Sequence, residues 1–161
     1  MPYCQLNVIL DVGAPRGALN YWKSSFLSSL SDEALRTMID ASRAASRRWV
    51  LFLEHFHGAV TRIGLTDTAF PHRSEGYNLL VISEWMDLKE NDTCIAWARD
   101  AYAAVEPFMG SNRYVNYLAD HERGDEVVTA HGPNYRRLRQ IKAKYDPENF
   151  FHMNHIIRPS P

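Results

Sequence analysis

Short apolar or alternating runs bounded by turn residues recur along the chain. They are rich in Val, Ile, Leu and aromatic residues, as in WVLFLEHF at residues 49–56 and YNLLVISEW at residues 77–85. Segments of this length and composition are typical of β-strands. The pattern predicts five strands, at residues 5–12, 49–56, 59–63, 77–85 and 112–118.

Helical spacing separates these runs. Ser31 is a good N-cap with Asp32 and Glu33 in the first turn, and it predicts a helix over residues 32–46. A second helix is predicted from Asn91 or Asp92 to Pro107, and a third from Pro133 to the Asp146-Pro147 stop. Residues 120–129 are predicted to be a polar connection.

The order of these elements predicts the fold class. The order of strand, helix, three strands, helix and strand is typical of an α+β protein, an antiparallel β-sheet with helices packed on one face, here followed by a C-terminal helix. A parallel doubly wound sheet fits this order less well. The sequence contains no internal repeat, low-complexity tract or linker.

Composition narrows the class of partner. The chain has 161 residues, enough for one domain or one piece of a larger one. Eighteen basic and nineteen acidic residues are interspersed, which disfavours nucleic acid and anionic lipid as partners.

The chain has only two cysteines, too few for a disulfide framework, so we expect both to be reduced thiols. No signal peptide and no apolar run near the ~18 residues of a membrane span are visible, so no localisation is predicted.

The candidate chemistry is that of phenols, imidazoles and amides. The sequence has no Gly-rich phosphate loop, no Cys-x-x-Cys pair and no Gly-x-Ser-x-Gly elbow, so it contains no recognised nucleotide-binding motif. Seven histidines and eight tyrosines suffice for an acid/base site for a neutral organic substrate. His55 and His57 share a strand face, but structural zinc normally takes four protein ligands, so no metal site is predicted.

A set of motifs carries a family resemblance. The last third contains Tyr-x-Asn-Tyr (114–117), Gly-x-Asn-Tyr-x-Arg-Leu (132–138) and Lys-x-Lys-Tyr-Asp-Pro-x-Asn-x-Phe (142–151). Upstream landmarks stand in the same order, and they are NYWKS (20–24), LSDEA (30–34), HGAVTR (57–62), TAFPHR (68–73) and AWAR (96–99). Over nearly its whole length the chain resembles the berberine bridge enzyme-like FAD-linked oxidases.

The resemblance implies a two-part enzyme. An N-terminal domain binds FAD, and a substrate domain roofs the flavin with an antiparallel sheet. Residues 1–112 would be the later part of the substrate domain, and residues 113–161 the C-terminal segment that packs on the absent FAD domain. The implied substrates are alcohols, sugars or secondary metabolites, and the implied partner is a flavin-binding half, in the same chain or a separate one.

The resemblance also implies site residues. Tyr117 would be the base that removes a hydroxyl proton while hydride leaves for flavin N5. A phenol titrates near ~10, so this role needs a cation or hydrogen bonds to its anion, and Arg73 and Arg113 are the candidate cations. His72 and Arg73 would face substrate.

The implied flavin contacts are Tyr114, Asn116 and Asn154. On a regular strand, Tyr114 and Asn116 would lie opposite Tyr117, so the strand must bend or Asn116 must support the site indirectly. After Asn154 the chain reads His155-Ile156, where the family usually has a second amide. His131, in place of a usual aromatic, is expected to be structural.

Two other functions stay open. The chain could be a truncated, non-catalytic binding or scaffold protein that self-associates as a homo-oligomer or needs a separate flavin-bearing chain. It could also be a non-redox enzyme that uses the same pocket for cyclisation or isomerisation.

Overall fold

The computed structural model describes residues 1–9, 11–13, 15–43, 49–118, 125–153 and 155–160. Five helices and three strands are described, in the order α1 (Tyr3–Asn7), β1 (Leu19–Leu27), α2 (Asp32–Arg43), β2 (Trp49–Phe56), β3 (Gly76–Trp85), α3 (Asn91–Val105), α4 (Asp125–His131) and α5 (Tyr135–Tyr145). No helix in these ranges is long and apolar enough to cross a membrane.

The sheet is antiparallel, with strand order β1-β3-β2. The central strand β3 is the most apolar, because both of its edges are paired and most of its side chains are buried. Helices α2 and α3 pack on one face of the sheet, as the sequence predicts. The α+β class with an antiparallel sheet is therefore confirmed.

The main core lies between this face and the two helices. Leu79 and Val81 of β3 are 0% exposed and pack against Ala98 and Val105 of α3. Trp49 of β2 stacks on Trp97 of α3 at 4.9 Å between ring centroids. The alternation of each strand sends every second residue into this core and leaves the others on the opposite face.

Three elements form where the sequence predicts them. The Ser31 hydroxyl accepts a hydrogen bond from the Ala34 N–H at 3.1 Å, which caps α2. Helix α3 starts at Asn91 and gives way to a 3₁₀ turn at Glu106–Phe108, beside Pro107. A 3₁₀ turn at Gly132–Asn134, which contains Pro133, leads into helix α5, and α5 ends at Tyr145.

The strand predicted at residues 5–12 is wrong, and a real strand was missed. Residues 3–7 form α1 and residues 11–13 a 3₁₀ turn, with Leu6, Val8 and Ile9 each more than half exposed. β-favouring residues form a strand only where a partner strand and a packed face exist. The missed strand is β1, whose centre holds the polar residues Ser24 and Ser25.

The strands predicted at residues 59–63 and 112–118 are also wrong. Val60–Arg62 is a 3₁₀ turn, because Gly58 takes φ +66° and the Thr61 hydroxyl donates to the Gly58 carbonyl. Val115–Tyr117 is a 3₁₀ turn too, closed by the Tyr117 N–H on the Tyr114 carbonyl at 2.9 Å. Part of the connection predicted at residues 120–129 is helical, since α4 starts at Asp125; residues 119–124 lie outside the described ranges.

Candidate active site

The face of the sheet away from α2 and α3 is open. Its side chains follow the strand register in rows: Trp22, Ile82 and Val50 form one, Ser24, Leu80 and Phe52 the next, and Phe26, Asn78 and Glu54 the third. Trp22, Val50 and Phe52 are 37%, 44% and 41% exposed, although large apolar residues usually pack against something. The open face is thus an apolar, aromatic surface that ends in a carboxylate.

Glu54 holds two hydrogen bonds at once. Its Oε1 accepts from the Tyr117 hydroxyl at 3.0 Å, and its Oε2 accepts from the Asn78 amide Nδ2 at 2.7 Å. Each oxygen of this carboxylate therefore accepts a hydrogen bond from a different side chain. Tyr117 and Glu54 are 63 residues apart in sequence, so only the fold brings them together.

Tyr117 reaches this carboxylate because the Val115–Tyr117 turn crosses the β1 side of the sheet. Its ring stacks on Trp22 of β1 at 5.9 Å between centroids. Burial, followed by the negative charge and hydrogen bond of Glu54, raises the pKa of Tyr117 to about 12. The phenol is therefore held protonated, as a donor to Glu54.

The arginines predicted as cations for Tyr117 donate elsewhere. Arg73 donates to the Thr68 hydroxyl at 2.6 Å and to the Val60 carbonyl at 3.3 Å. Arg113 donates to the Ser25 hydroxyl at 2.7 Å. The partner of Tyr117 is a carboxylate, the opposite charge from the one predicted.

Tyr114 lies on the same side of its turn as Tyr117. Their rings meet edge to face at 5.1 Å, because residues i and i+3 of a 3₁₀ turn eclipse each other. Asn116 is exposed and donates from Nδ2 to the Tyr114 hydroxyl at 2.8 Å. The strand-based expectation that Tyr114 faces away from Tyr117 is therefore wrong, and Asn116 supports Tyr114.

His72 and Arg73 line a cavity of about 560 Å³ beyond the end of β1, together with Phe26, Gly76 and Asn112. His72 is 8% exposed, and its ring lies 4.5 Å from the Phe26 ring. Burial lowers the pKa of His72, so the imidazole is neutral.

A series of ring contacts links this cavity with Glu54 and Tyr117. In order, the rings in contact are Trp22, Tyr117, Tyr114, Phe70, Phe56, Phe26 and His72, each pair 4.5–6.0 Å apart between centroids. The predicted substrate residue His72 and the predicted base Tyr117 are thus connected through the rings of Phe70 and Tyr114.

The remaining predicted residues lie apart from this site or outside the description. The His55 and His57 rings stack at 4.3 Å, and His55 stacks on Tyr77. Among the described residues, no group of three His, Cys, Asp or Glu could hold a metal. His131 is buried and stacks near Tyr135. Asn154 lies outside the described residues.

Comparison with known proteins agrees with this fold. Residues 113–158 match the family described as "Berberine and berberine like". Berberine bridge enzyme-like 17 of Arabidopsis thaliana is 28% identical over 172 residues, covering 96% of this chain and 32% of that protein. An FAD-linked oxidoreductase of Dictyostelium discoideum is 25% identical, covering 99% of this chain and 35% of its own length.

Residues 113–158 thus belong to the berberine and berberine-like family, and the chain as a whole is similar to berberine bridge enzyme-like proteins. A solved structure of a variant of Physcomitrella patens BBE-like 1 superposes with a TM-score of 0.81 at 19% identity, covering 100% of this chain and 37% of that one, a likeness of fold. The chain spans about a third of the length of the curated relatives it matches.

The relative from Dictyostelium discoideum is named an FAD-linked oxidoreductase, so a flavin is the cofactor to compare with the residues of this chain. Tyr114 and Asn116 offer a phenol and an exposed carboxamide beside Tyr117, a donor and acceptor set that suits the polar edge of an isoalloxazine ring. The sequence has no Gly-rich phosphate loop, so the phosphates of FAD need other residues. Contact of Tyr114 and Asn116 with a flavin ring stays a prediction.

Sequence reasoning missed Glu54 and Asn78. Both lie within runs that read as ordinary strands, and 24 residues separate them. One signal was present: Glu54 directly follows the apolar run WVLFL, and Asn78 directly precedes the apolar run LLVI. A polar side chain on each of two apolar strands is a reason to look for a pair.

Proposed function

We propose that this chain forms the substrate wall and the proton acceptor of an FAD-dependent oxidoreductase that oxidises a hydroxyl-bearing carbon of an alcohol, sugar or secondary metabolite. The observation that carries the proposal is the hydrogen bond from the Tyr117 hydroxyl to Glu54 Oε1, at the end of an exposed aromatic face. FAD, when bound, supplies the hydride acceptor.

Tyr117 and Glu54 act as a relay in this proposal. A phenol with a pKa of about 12 already carries its proton, so it cannot act alone as the base. As the Tyr117 oxygen takes the substrate hydroxyl proton, its own proton passes to Glu54 Oε1. The substrate hydroxyl loses one proton, Tyr117 is unchanged and Glu54 ends protonated, so Tyr117 keeps the contact with substrate and Glu54 holds the proton.

The open face could contact both a substrate and a partner that covers it. Trp22, Val50 and Phe52 form an apolar surface that would exclude water once covered. Phe150 and Phe151, at the C-terminal end, are 77% and 75% exposed. We infer that the covering partner is a flavin-binding half, in the same polypeptide or a separate one, which these surfaces contact.

The test is reconstitution. The chain is produced with the part of the Dictyostelium discoideum FAD-linked oxidoreductase that lies outside its matching segment, and the complex is purified through a tag on this chain. We expect yellow, flavin-containing protein whose flavin is bleached anaerobically by an alcohol or sugar from a panel. A matched complex carrying Glu54→Gln is expected to retain flavin and lose bleaching.

The exposed apolar surfaces also favour one alternative, a binding or scaffold protein that self-associates. In that case the chain alone forms a stable homo-oligomer, and the flavin half neither joins it nor dissociates it. Substrate turnover by the flavin-free chain would instead support the non-redox enzyme and contradict the proposed oxidoreductase.

A further inference from the structure

The Asn78 side chain lies at the centre of the sheet with no ordinary packing reason to be polar. It is 0% exposed, on the middle strand β3, in a row between Phe26 and Glu54. Burying a carboxamide costs free energy unless its groups are hydrogen-bonded, and its Oδ1 has no partner among the described residues. An apolar residue of similar size would pack there without that cost.

The Asn78 amide donates its hydrogen bond to the carboxylate of the relay. Nδ2 donates to Glu54 Oε2 at 2.7 Å, a short, charge-assisted hydrogen bond. It occupies the oxygen that Tyr117 does not use, so Oε1 turns toward the phenol. Glu54 is otherwise a half-buried side chain with three rotatable bonds that would favour water.

We propose that Asn78 is a positioning residue that fixes the Glu54 carboxylate so that Oε1 receives the hydrogen bond, and in catalysis the proton, of Tyr117. The order of bonds is Asn78 to Glu54 to Tyr117, from the middle strand β3 across β2 to the C-terminal segment. The catalytic part of this inference rests on the proposed function, whereas the chain of hydrogen bonds does not.

The inference predicts coupling between Asn78 and Tyr117 although no bond joins them. The titratable groups that act on Tyr117 are Glu54 on β2 and Tyr114 on its own turn. Loss of Asn78 releases Glu54, so the contribution of Glu54 to the Tyr117 environment is lost with it. Once Glu54 is already replaced, loss of Asn78 has nothing left to release.

The experiment is a double-mutant cycle on the 161-residue chain, read by ¹³Cζ NMR of labelled tyrosine, with Tyr117 assigned by Tyr117→Phe. We expect Glu54→Gln and Asn78→Leu each to lower the Tyr117 pKa from about 12, and Asn78→Leu to cause no further shift in the Glu54→Gln background. Ser83→Ala is the control, since Ser83 is equally buried on β3. Equal shifts from Asn78→Leu in both backgrounds, or none in either, would overturn the inference.

A second measurement does not depend on folding of the Asn78 variant. The Asn78 side-chain NH₂ resonances are compared between the native chain and Glu54→Gln, with Glu84→Gln as control on the same face of β3. In the native chain, the hydrogen bond to Glu54 should shift an Asn78 NH₂ proton resonance downfield. We expect this shift to be lost in Glu54→Gln and kept in Glu84→Gln. Unchanged Asn78 resonances in Glu54→Gln would contradict the inference. If the coupling is found but the reconstituted complex does not oxidise any substrate, the proposed function fails and the positioning of Glu54 by Asn78 stands.

Discussion

The hydroxyl of Tyr117 donates to Oε1 of Glu54 at 3.0 Å, across 63 residues of sequence. The bond joins the C-terminal segment to a strand of the sheet, and both groups lie beside the exposed aromatic face. Tyr117 thus faces a carboxylate, where a tyrosine acting alone as a base would need a cation.

Replacement of either member of this pair should impair oxidation in the flavin-containing complex. Glu54→Gln removes the proton acceptor and keeps the shape of the side chain, so kcat should fall by about 10²-fold or more, the usual range for a lost general base. Tyr117→Phe should cause a loss of similar size, and the double variant little more than either alone, because the two groups act as a unit. The measurement is the rate of anaerobic flavin reduction.

Glu84→Gln is the matched control for this prediction. Glu84 lies on the same face of the sheet, on β3, beside Asn20 of β1 and away from Tyr117. Its replacement should leave the rate of flavin reduction within about twofold of the native rate. An equal loss in both glutamine variants would show that Glu54 has no specific role.

The pKa of Tyr117 itself gives a test that needs no flavin. Because burial and Glu54 raise this pKa to about 12, Tyr117 should be roughly nine-tenths protonated at about pH 11, where ordinary tyrosines are mostly ionised. Glu54→Gln should lower the pKa but leave it above its ordinary value, since burial, the largest cause, remains. Ionisation of Tyr117 with an ordinary tyrosine pKa of about 10, followed by ¹³Cζ NMR, would contradict the buried pair.

Asp146 should stabilise the fold in a pH-dependent way. It accepts hydrogen bonds from Lys142 and from the N–H groups of Phe150 and Phe151, and these partners, Lys142 first, lower its pKa. A carboxyl with a lower pKa in the folded state adds stability above its unfolded pKa near 3.8, and that stability is lost as pH falls through the folded value.

The comparison of Asp146→Asn with exposed Glu148→Gln in chemical denaturation tests this expectation. Asp146→Asn should lower the unfolding midpoint at neutral pH, and its difference from the native chain should shrink below about pH 4. Glu148→Gln should have little effect at either pH. A constant deficit for Asp146→Asn across this range would mean that its charge is not involved.

His72 should destabilise the fold in acid. Burial lowers its pKa in the folded chain, so the unfolded chain binds the proton more readily. Stability is then intact above the unfolded pKa of about 6.5 and falls as pH drops below it, by at most about 1.4 kcal/mol per pH unit for one proton. His72→Phe, which keeps the ring contact with Phe26, should flatten this slope, and exposed His57→Phe should not.

Gly76 should not tolerate a side chain. A Cβ at this position would stand 2.5 Å from the Leu27 carbonyl oxygen, with φ at +149°. We expect Gly76→Ala to lower the free energy of unfolding by about 3 kcal/mol or more, because the new Cβ would displace the Leu27 backbone in addition to straining the backbone of residue 76. Gly58→Ala isolates the backbone effect, because Gly58 has φ +66° and open space around it, and should cost only about 1 kcal/mol. Equal costs would exclude the contact with Leu27.

The sequence predicts the parts of this structure that depend on local chemistry. The cap at Ser31, the helix over residues 91–105 and the strands at residues 49–56 and 77–85 follow from periodicity and turn residues. Strand β1 does not, because Ser25 at its centre is fully buried and satisfied by Arg113, 88 residues away. A polar residue in a strand reads as exposed until its distant partner is known.

The candidate site shows the same division. The family motif supplies Tyr117 and Tyr114, but their common orientation depends on a 3₁₀ turn that the alternating residues 112–118 do not reveal. Glu54 and Asn78 carry no motif. Their roles come from register across β3, which places them side by side. The division of the chain at residues 112 and 113, and flavin contact by Asn116 and Tyr114, stay predictions.

The central claim is that Glu54 receives a proton through Tyr117 during substrate oxidation, and the pH dependence of anaerobic flavin reduction in the reconstituted complex tests it most directly. The native complex should reduce its flavin with substrate, and Glu54→Gln, which has no carboxylate to receive the proton, should be slow at every pH. A Glu54→Gln complex that keeps the native rate and the native pH profile would contradict the account.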